Sequence, residues 1–146
     1  MYGRYLKGYK RTHSEATVAV AEPHRIVQMM YEGLLERLAQ AKGAIERNDF
    51  RYKADRISKA VGIINGLQGC LDPKFDPLLS SRLSALYDYM KTKLSDAANN
   101  MATEPIDEVI KLVLPIKNAW DKIPQDVRDR INHEVLENQK LAAKQA

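Results

Sequence analysis

The sequence predicts an all-α protein, an antiparallel four-helix bundle with a flexible N-terminal tail and a weak fifth helix at the C-terminus. Apolar residues recur at steps of three and four through four successive stretches. Proline or an Asp-Pro pair marks most of the boundaries between them. No stretch alternates apolar and polar residues as a half-buried strand would. Amphipathic helices joined by short turns bury their stripes most simply against antiparallel neighbours. The expected organisation is a tail over 1–22, the bundle over 23–123 and a helical extension over 124–146.

The first helix runs from Pro23 to about Arg47, with Val27, Met30, Leu34, Leu38, Ala41 and Ile45 on one face and a proline suited to its first turn. It stops near Asn48-Asp49. The second, from about Asp49 to Leu71, carries Phe50, Ile57, Ala60, Ile64, Leu67 and Leu71, and Asp72-Pro73 ends it. Asp76 and Pro77 suit the N-cap and first position of the third helix. Its stripe of Leu79, Leu83, Leu86, Met90, Leu94, Ala97 and Met101 is the most regular in the chain. Asn99-Asn100 is the expected exit and Thr103 the next N-cap. The fourth helix reaches about Lys122 on Ile106, Val109, Val113, Ile116 and Trp120, and Pro115 in its interior should free the carbonyl of Lys111 and bend it. Pro124 ends that element. The fifth helix has only a thin stripe of Val127, Ile131 and Val135, so loose attachment is expected.

At 146 residues, 45% apolar and 29% charged, the chain has the balance of one globular domain large enough to bury a core. No apolar run approaches the roughly 20 residues of a membrane span, and MYGRYLKGYKRTHS lacks the apolar stretch of a signal peptide. The expected location is the cytoplasm, without membrane insertion. A net charge of +4 is too mild to imply nucleic acid by itself. The single Cys70 cannot close an internal disulfide, and His13, His24 and His133 are scattered without metal-ligand spacing. Cys70 reads as a small buried or half-buried apolar group.

An enzyme needs converging groups, and none converge here. The sequence has no glycine-rich phosphate loop, no nucleophile beside a base and no Glu-x-x-His of a di-iron bundle. A histidine phosphotransfer bundle needs an exposed mid-helix histidine, whereas His24 sits at a helix start as a plain first-turn residue and His133 in the weak fifth helix. Glu32, Asp88 and Asp96 read as a solvated face or helix-pair partners. A non-enzyme that acts by binding is expected, with no metal and no cofactor.

The N-terminal segment interleaves Tyr2, Tyr5, Leu6 and Tyr9 with Arg4, Lys7, Lys10 and Arg11. At helical spacing the apolar residues share a face, although Gly3 and Gly8 weaken any helix that must persist unaided. One reading docks the tyrosines into an apolar groove on the bundle or a partner. The alternative is a nucleic-acid-binding helical module with aromatic stacking and phosphate contacts, and the plainest reading is a frayed terminus.

Four motifs in order give a resemblance. The tyrosine-bearing tail is followed by AEPHRIVQMMYEGLL (21–35), ISKAVGIINGLQGCLD (57–72) and LSALYDYM (83–90), with Ala119-Trp120 near the end of the fourth helix. This succession resembles the flagellin-specific export chaperones of bacterial flagellar assembly, the FliS family, over residues 1 to about 123. The resemblance implies a cytoplasmic four-helix chaperone that binds the C-terminal segment of flagellin, prevents its premature polymerisation and aids delivery to the flagellar type III export apparatus. It admits an anti-sigma factor as a further partner. By resemblance and expected exposure, the flagellin-binding residues are Ile57, Ala60, Gly62, Ile63, Gly66, Leu67, Cys70, Tyr87, Met90 and Leu94. The tail residues Tyr2, Tyr5, Leu6 and Tyr9 are implied as a self-cap that flagellin displaces.

One departure from the family pattern is the stretch VGIINGLQGCL, where Gly62, Gly66 and Gly69 replace polar or charged residues. Three interior glycines cost a helix roughly 3 kcal/mol relative to alanine. At 100° per residue from Gly62, Gly66 lies at about 40° and Gly69 at about −20°, opposite a core face of Ala60, Ile64, Leu67 and Leu71. One reading is an outward trough of glycines, with Ile63 and Cys70 as an apolar shoulder, that lets a partner helix approach closely; the alternatives are a stripe that is solvated and merely tolerated, or one that a crossing terminal segment covers.

Overall fold

The computed structural model describes residues 22–145. Within them five helices follow one another: α1 Pro23–Glu46, α2 Phe50–Gly69, α3 Pro77–Asn100, α4 Glu104–Asp121 and α5 Gln125–Lys144. The tail lies outside the described residues. Local chemistry sets each boundary. After α1 the chain reverses through Asn48 at φ 56°, while Asn48 N–H donates to Ile45 C=O at 3.1 Å and Asp49 N–H to Ala44 C=O at 2.8 Å. That pattern is a Schellman ending with asparagine in the usual glycine place. Asp49 then caps α2 by accepting from Tyr52 N–H at 3.1 Å, and Asp76 caps α3 by accepting from Leu79 N–H at 3.0 Å, ahead of Pro77.

Two boundaries differ from expectation in detail. α3 does end at Asn100, but the left-handed residue is Met101, at φ 49° and ψ 43°, with Ala102 N–H reaching back to Ala97 C=O at 3.3 Å. Thr103 precedes α4 in a helical conformation and its side chain caps nothing; Glu104 and Asp107 in the first turn supply the favourable charge instead. α4 continues through Pro115, which lies with Lys111 on the exposed face, where water can serve a freed carbonyl.

The helices form a ring in which α1 packs on α2 and α4, and α3 packs on α2 and α4. Side-chain pairs fix the antiparallel sense. On one seam Gln28 meets Asp121 and Lys42 meets Asp107, so the start of α1 lies by the end of α4 and its end by the start of α4. Across the next seams Arg56 reaches Gln40, Lys53 donates to Ala98 C=O, and Gln68 donates to Ser84. Leu34, Leu38, Ala60, Ile64, Met90, Leu94, Ile106 and Val109 are fully enclosed at the centre. Closing four such stripes on one another removes their apolar area from water, at about 25 cal/mol per Å².

One polar contact crosses this core along its diagonal. The hydroxyls of Tyr31 on α1 and Tyr87 on α3 lie 2.8 Å apart, both buried, so one donates to the other. Burial is the main cause that pushes both phenols above their ordinary range.

α5 is attached by polar groups. Its stripe of Val127, Ile131 and Val135 is only half-buried, and its one buried residue is Asn132. Glu22 precedes α1 without capping it, and Pro23 has no N–H, so the first free amide belongs to His24. Asn132 Oδ1 accepts that amide at 2.9 Å while Asn132 Nδ2 donates to Glu22 Oε2 at 2.8 Å. One turn earlier, Arg128 donates to the backbone carbonyls of Asp121 at 2.6 Å and Ile123 at 2.9 Å. Thus α5 caps the start of α1 and the end of α4 from a single face. His24, read from the sequence as a plain first-turn residue, is instead buried and stacked on Trp120, with ring centroids 4.8 Å apart. Trp120 Nε1–H donates to His24 C=O, and His24 Nε2 to Trp120 C=O, each at 3.0 Å.

The tyrosine pair yields a prediction. Tyr31→Phe alone strands a buried hydroxyl and should cost about 1 to 2 kcal/mol in urea denaturation, whereas Tyr31→Phe with Tyr87→Phe should recover most of that loss. Because both phenols titrate higher in the folded state, wild-type stability should also fall as pH rises above about 10, where the unfolded chain ionises first, and the double variant should show less of that fall.

Candidate functional site

α3 is longer than the helices that cover it. It has 24 residues against 20 in α2 and 18 in α4, which at 1.5 Å per residue leaves about 6 to 9 Å of overhang. The pairs Gln68–Ser84 and Lys53–Ala98 place the excess over α2 at the N-terminal end of α3. Along one apolar stripe, Ala97, Leu94 and Met90 are fully enclosed, Leu86 and Leu83 are half-buried, and Leu79 is 52% exposed. Leu78 and Phe75 stand beside it at 59% and 66%. Single exposed leucines are ordinary on a protein surface, but a core stripe that runs out into solvent beside two further large apolar groups is a candidate contact surface.

α2 supplies the adjoining wall. Gln68 Nε2 donates to Ser84 C=O, Ser84 Oγ and Asp88 Oδ1 at 2.9 to 3.2 Å, and Lys91 Nζ donates to Asn65 Oδ1 at 3.0 Å and Gln68 Oε1 at 2.9 Å. These bonds pin the two helices together. The hydrogen bonds from Gln68 and Lys91 hold the Asp88 carboxyl below its usual range, which makes it a helix-pair partner as the sequence suggested. Glu32 likewise pairs with Arg25, at 3.0 Å. Beside the network Ile63, Cys70 and Leu71 are half-buried, and burial pushes the Cys70 thiol up to about 12.

The residues expected to contact a partner divide into two groups. Gly62 is exposed and Ile63, Cys70 half-buried, all accessible. Ile57, Ala60, Leu67, Tyr87, Met90 and Leu94 are core side chains, so the exposure expected of them is not found. The reason is geometric: they lie on the very stripes that close the ring. The glycine trough also needs correction. Around Gly62 an added Cβ would meet nothing within 4 Å, but Gly69 is half-buried and Gly66 buried, so the outward face is open only at Gly62. Sequence reasoning placed Leu79, Leu83 and Leu86 in the core and did not single out Phe75 and Leu78. The available signal was Leu78-Leu79, two adjacent leucines of which only one can follow the stripe. Tyr2, Tyr5, Leu6 and Tyr9 lie outside the described residues.

A bundle whose apolar stripe runs out into solvent has the build of a helical binding protein. Comparison with known proteins makes this specific. Residues 5–127 match the family model described as "Flagellar protein FliS". The flagellar secretion chaperone FliSB of Pseudomonas aeruginosa is 43% identical over 118 residues, covering 81% of this chain and 94% of that protein. The flagellar secretion chaperone FliS of Vibrio cholerae is 34% identical over 130 residues, 89% of this chain and 96% of its own, and that of Salmonella typhimurium 34% over 119 residues, 81% and 88%. The chain belongs to the FliS family of flagellar secretion chaperones, which are not enzymes. Among the described residues no helix is long and apolar enough to cross a membrane.

Two measurements check this site. Gly62→Ala should stabilise the fold by about 0.5 to 1 kcal/mol in urea denaturation, because the helix gains propensity and the methyl meets nothing. Cys70, protonated far above neutrality, should react with a thiol reagent at pH 8 at least tenfold more slowly in the native protein than in urea, where about a quarter of ordinary thiols are ionised.

Proposed function

We propose that the chain is a cytoplasmic chaperone that takes the C-terminal segment of flagellin on the α2–α3 face, keeps it from polymerising and helps deliver it to the flagellar export apparatus. One observation carries the choice of face: the apolar stripe of α3 that leaves its cover at Leu86, Leu83 and Leu79. A segment that would otherwise pair with its own kind must have its apolar side chains covered, and an amphipathic helix can lay anchors at i, i+3, i+4 and i+7 along such a stripe. Gly62 and Ile63 on α2 extend the surface, and the missing side chain at Gly62 lets a client backbone come close. The process needs no bond cleavage and no cofactor. The N-terminal segment, with Tyr2, Tyr5, Leu6 and Tyr9, acts as a self-cap that competes for the same apolar surface and lowers the apparent affinity by the cost of opening it. The family resemblance also supports an anti-sigma factor as a second partner.

Isothermal titration with a flagellin C-terminal peptide tests the reading. The wild type should bind with little dependence on salt, as apolar contacts do. Leu79→Asp should leave the fold intact, since Leu79 is exposed, and weaken binding about tenfold or more, the effect of losing one apolar anchor. Unchanged affinity in a folded Leu79→Asp protein would contradict the face. Binding of oligonucleotides with a steep salt dependence, and none of the peptide, would contradict the client.

A further inference from the structure

Five side chains and one glycine form a strip across the outer seam of α1 and α2. Arg37 and Arg56 reach it from the two helices and donate to the same oxygen, Gln40 Oε1, at 3.4 and 3.2 Å. Arg56 also lies over the Tyr52 ring, 5.1 Å from its centroid, and Arg47 lies over the same ring at 6.0 Å. The Arg47 guanidinium folds back on α1, where Nη1 lies 3.0 Å from the place a Cβ on Gly43 would take, so glycine leaves that seat free. Three guanidiniums are thereby held along one seam, and like charges so placed repel one another unless anions sit among them. The chain supplies two. Glu36 pairs with Arg37 at 3.5 Å and Asp55 pairs with Arg56, each a neighbour in sequence. The Arg47 side chain has no hydrogen bond and no ion pair among the described residues.

We propose that this strip binds an acidic segment of a protein partner, whose carboxylates settle on Arg47, Arg56 and Arg37 along the seam. Planar guanidinium forks match carboxylates two bonds at a time, and forks already held in place lose little freedom on binding. The arginines are held firmly: the Arg37 and Arg56 side chains are each only 19% exposed. A lipid surface is met by long basic side chains free to reach outward, which these are not. Nor is there a stacking platform for a nucleic-acid base, because Tyr52 is half-buried and its ring already carries two guanidiniums. The strip is also separate from the proposed client site. α2 begins beside the end of α3, where Lys53 donates to Ala98 C=O, so the strip lies at the end of the bundle away from Leu79. A client on α3 and an acidic partner on the α1–α2 seam can therefore be held together.

Fluorescence anisotropy of a labelled hexaglutamate peptide with the full chain at low salt tests the strip. The N-terminal segment is basic as well, so charge-matched variants decide where the peptide sits. Arg47→Gln with Arg56→Gln should weaken binding about tenfold or more, the loss of two charge-assisted forks, whereas Lys7→Gln with Lys10→Gln removes the same charge and should change it less than about twofold. Arg47→Gln alone removes a side chain that bonds to nothing in the fold, so it should leave the urea midpoint in place and still cost about fivefold. Gly43→Leu keeps every charge but fills the Arg47 seat, and should weaken binding about threefold or more. Equal losses in the arginine and lysine pairs would overturn the inference, because net charge alone would then account for binding. Wild-type affinity in both Arg47→Gln and Gly43→Leu would overturn it too. So would binding of phosphatidylglycerol vesicles or of an oligonucleotide through these arginines with no binding of the peptide.

Discussion

An apolar stripe on a helix must be covered, and in this chain the cover is shorter than two of the stripes. α1 and α3 have 24 residues each, while α2 and α4, which flank both, have 20 and 18. Antiparallel packing therefore leaves an overhang on each long helix. On α1 the overhang at Pro23 and His24 is buried, with α5 laid against it. On α3 the overhang at Leu78 and Leu79 stays open. The same mismatch gives the protein one sealed corner and one open corner, and the proposed client site is the one that the described helices do not close.

Much of this was legible in the sequence, and the parts that were not have a common cause. Steps of three and four located all five helices to within about two residues, because helix periodicity and the Asp-Pro and Asn-Asp signals are local. Which part of a stripe is covered depends on the lengths of neighbouring helices, so Leu79 and Leu94 look alike in sequence and differ completely in burial. Candidate site residues chosen along the stripe consequently included Met90, Leu94 and Leu67, which close the core. The outward face of the glycine stretch is open only in part. Facing away from one helix does not mean facing solvent, and Gly66 is buried while Gly62 is not.

The polar corner was less legible still. Asn132 sits 108 positions from the amide it accepts, and Trp120 is 96 from its histidine partner. Nothing local marks an asparagine in a thin helix as the cap of a distant one. What composition did reveal was the weakness of α5 as an apolar helix, and the structure supplies its other attachment: hydrogen bonds to the orphan groups that every helix end leaves. Such a contact is directional, and directional contacts suit an element that fixes an angle better than one that merely adds burial.

The proposed client site is the uncovered end of α3. Methyl-resolved NMR of the protein with a flagellin C-terminal peptide tests it most directly. On titration the methyl signals of Leu78, Leu79, Leu83 and Leu86 should shift together with Ile63, while those of Leu38 and Val109 at the far end of the core should stay in place. Shifts confined to α4 and α5, with the α3 leucines unmoved, would contradict it.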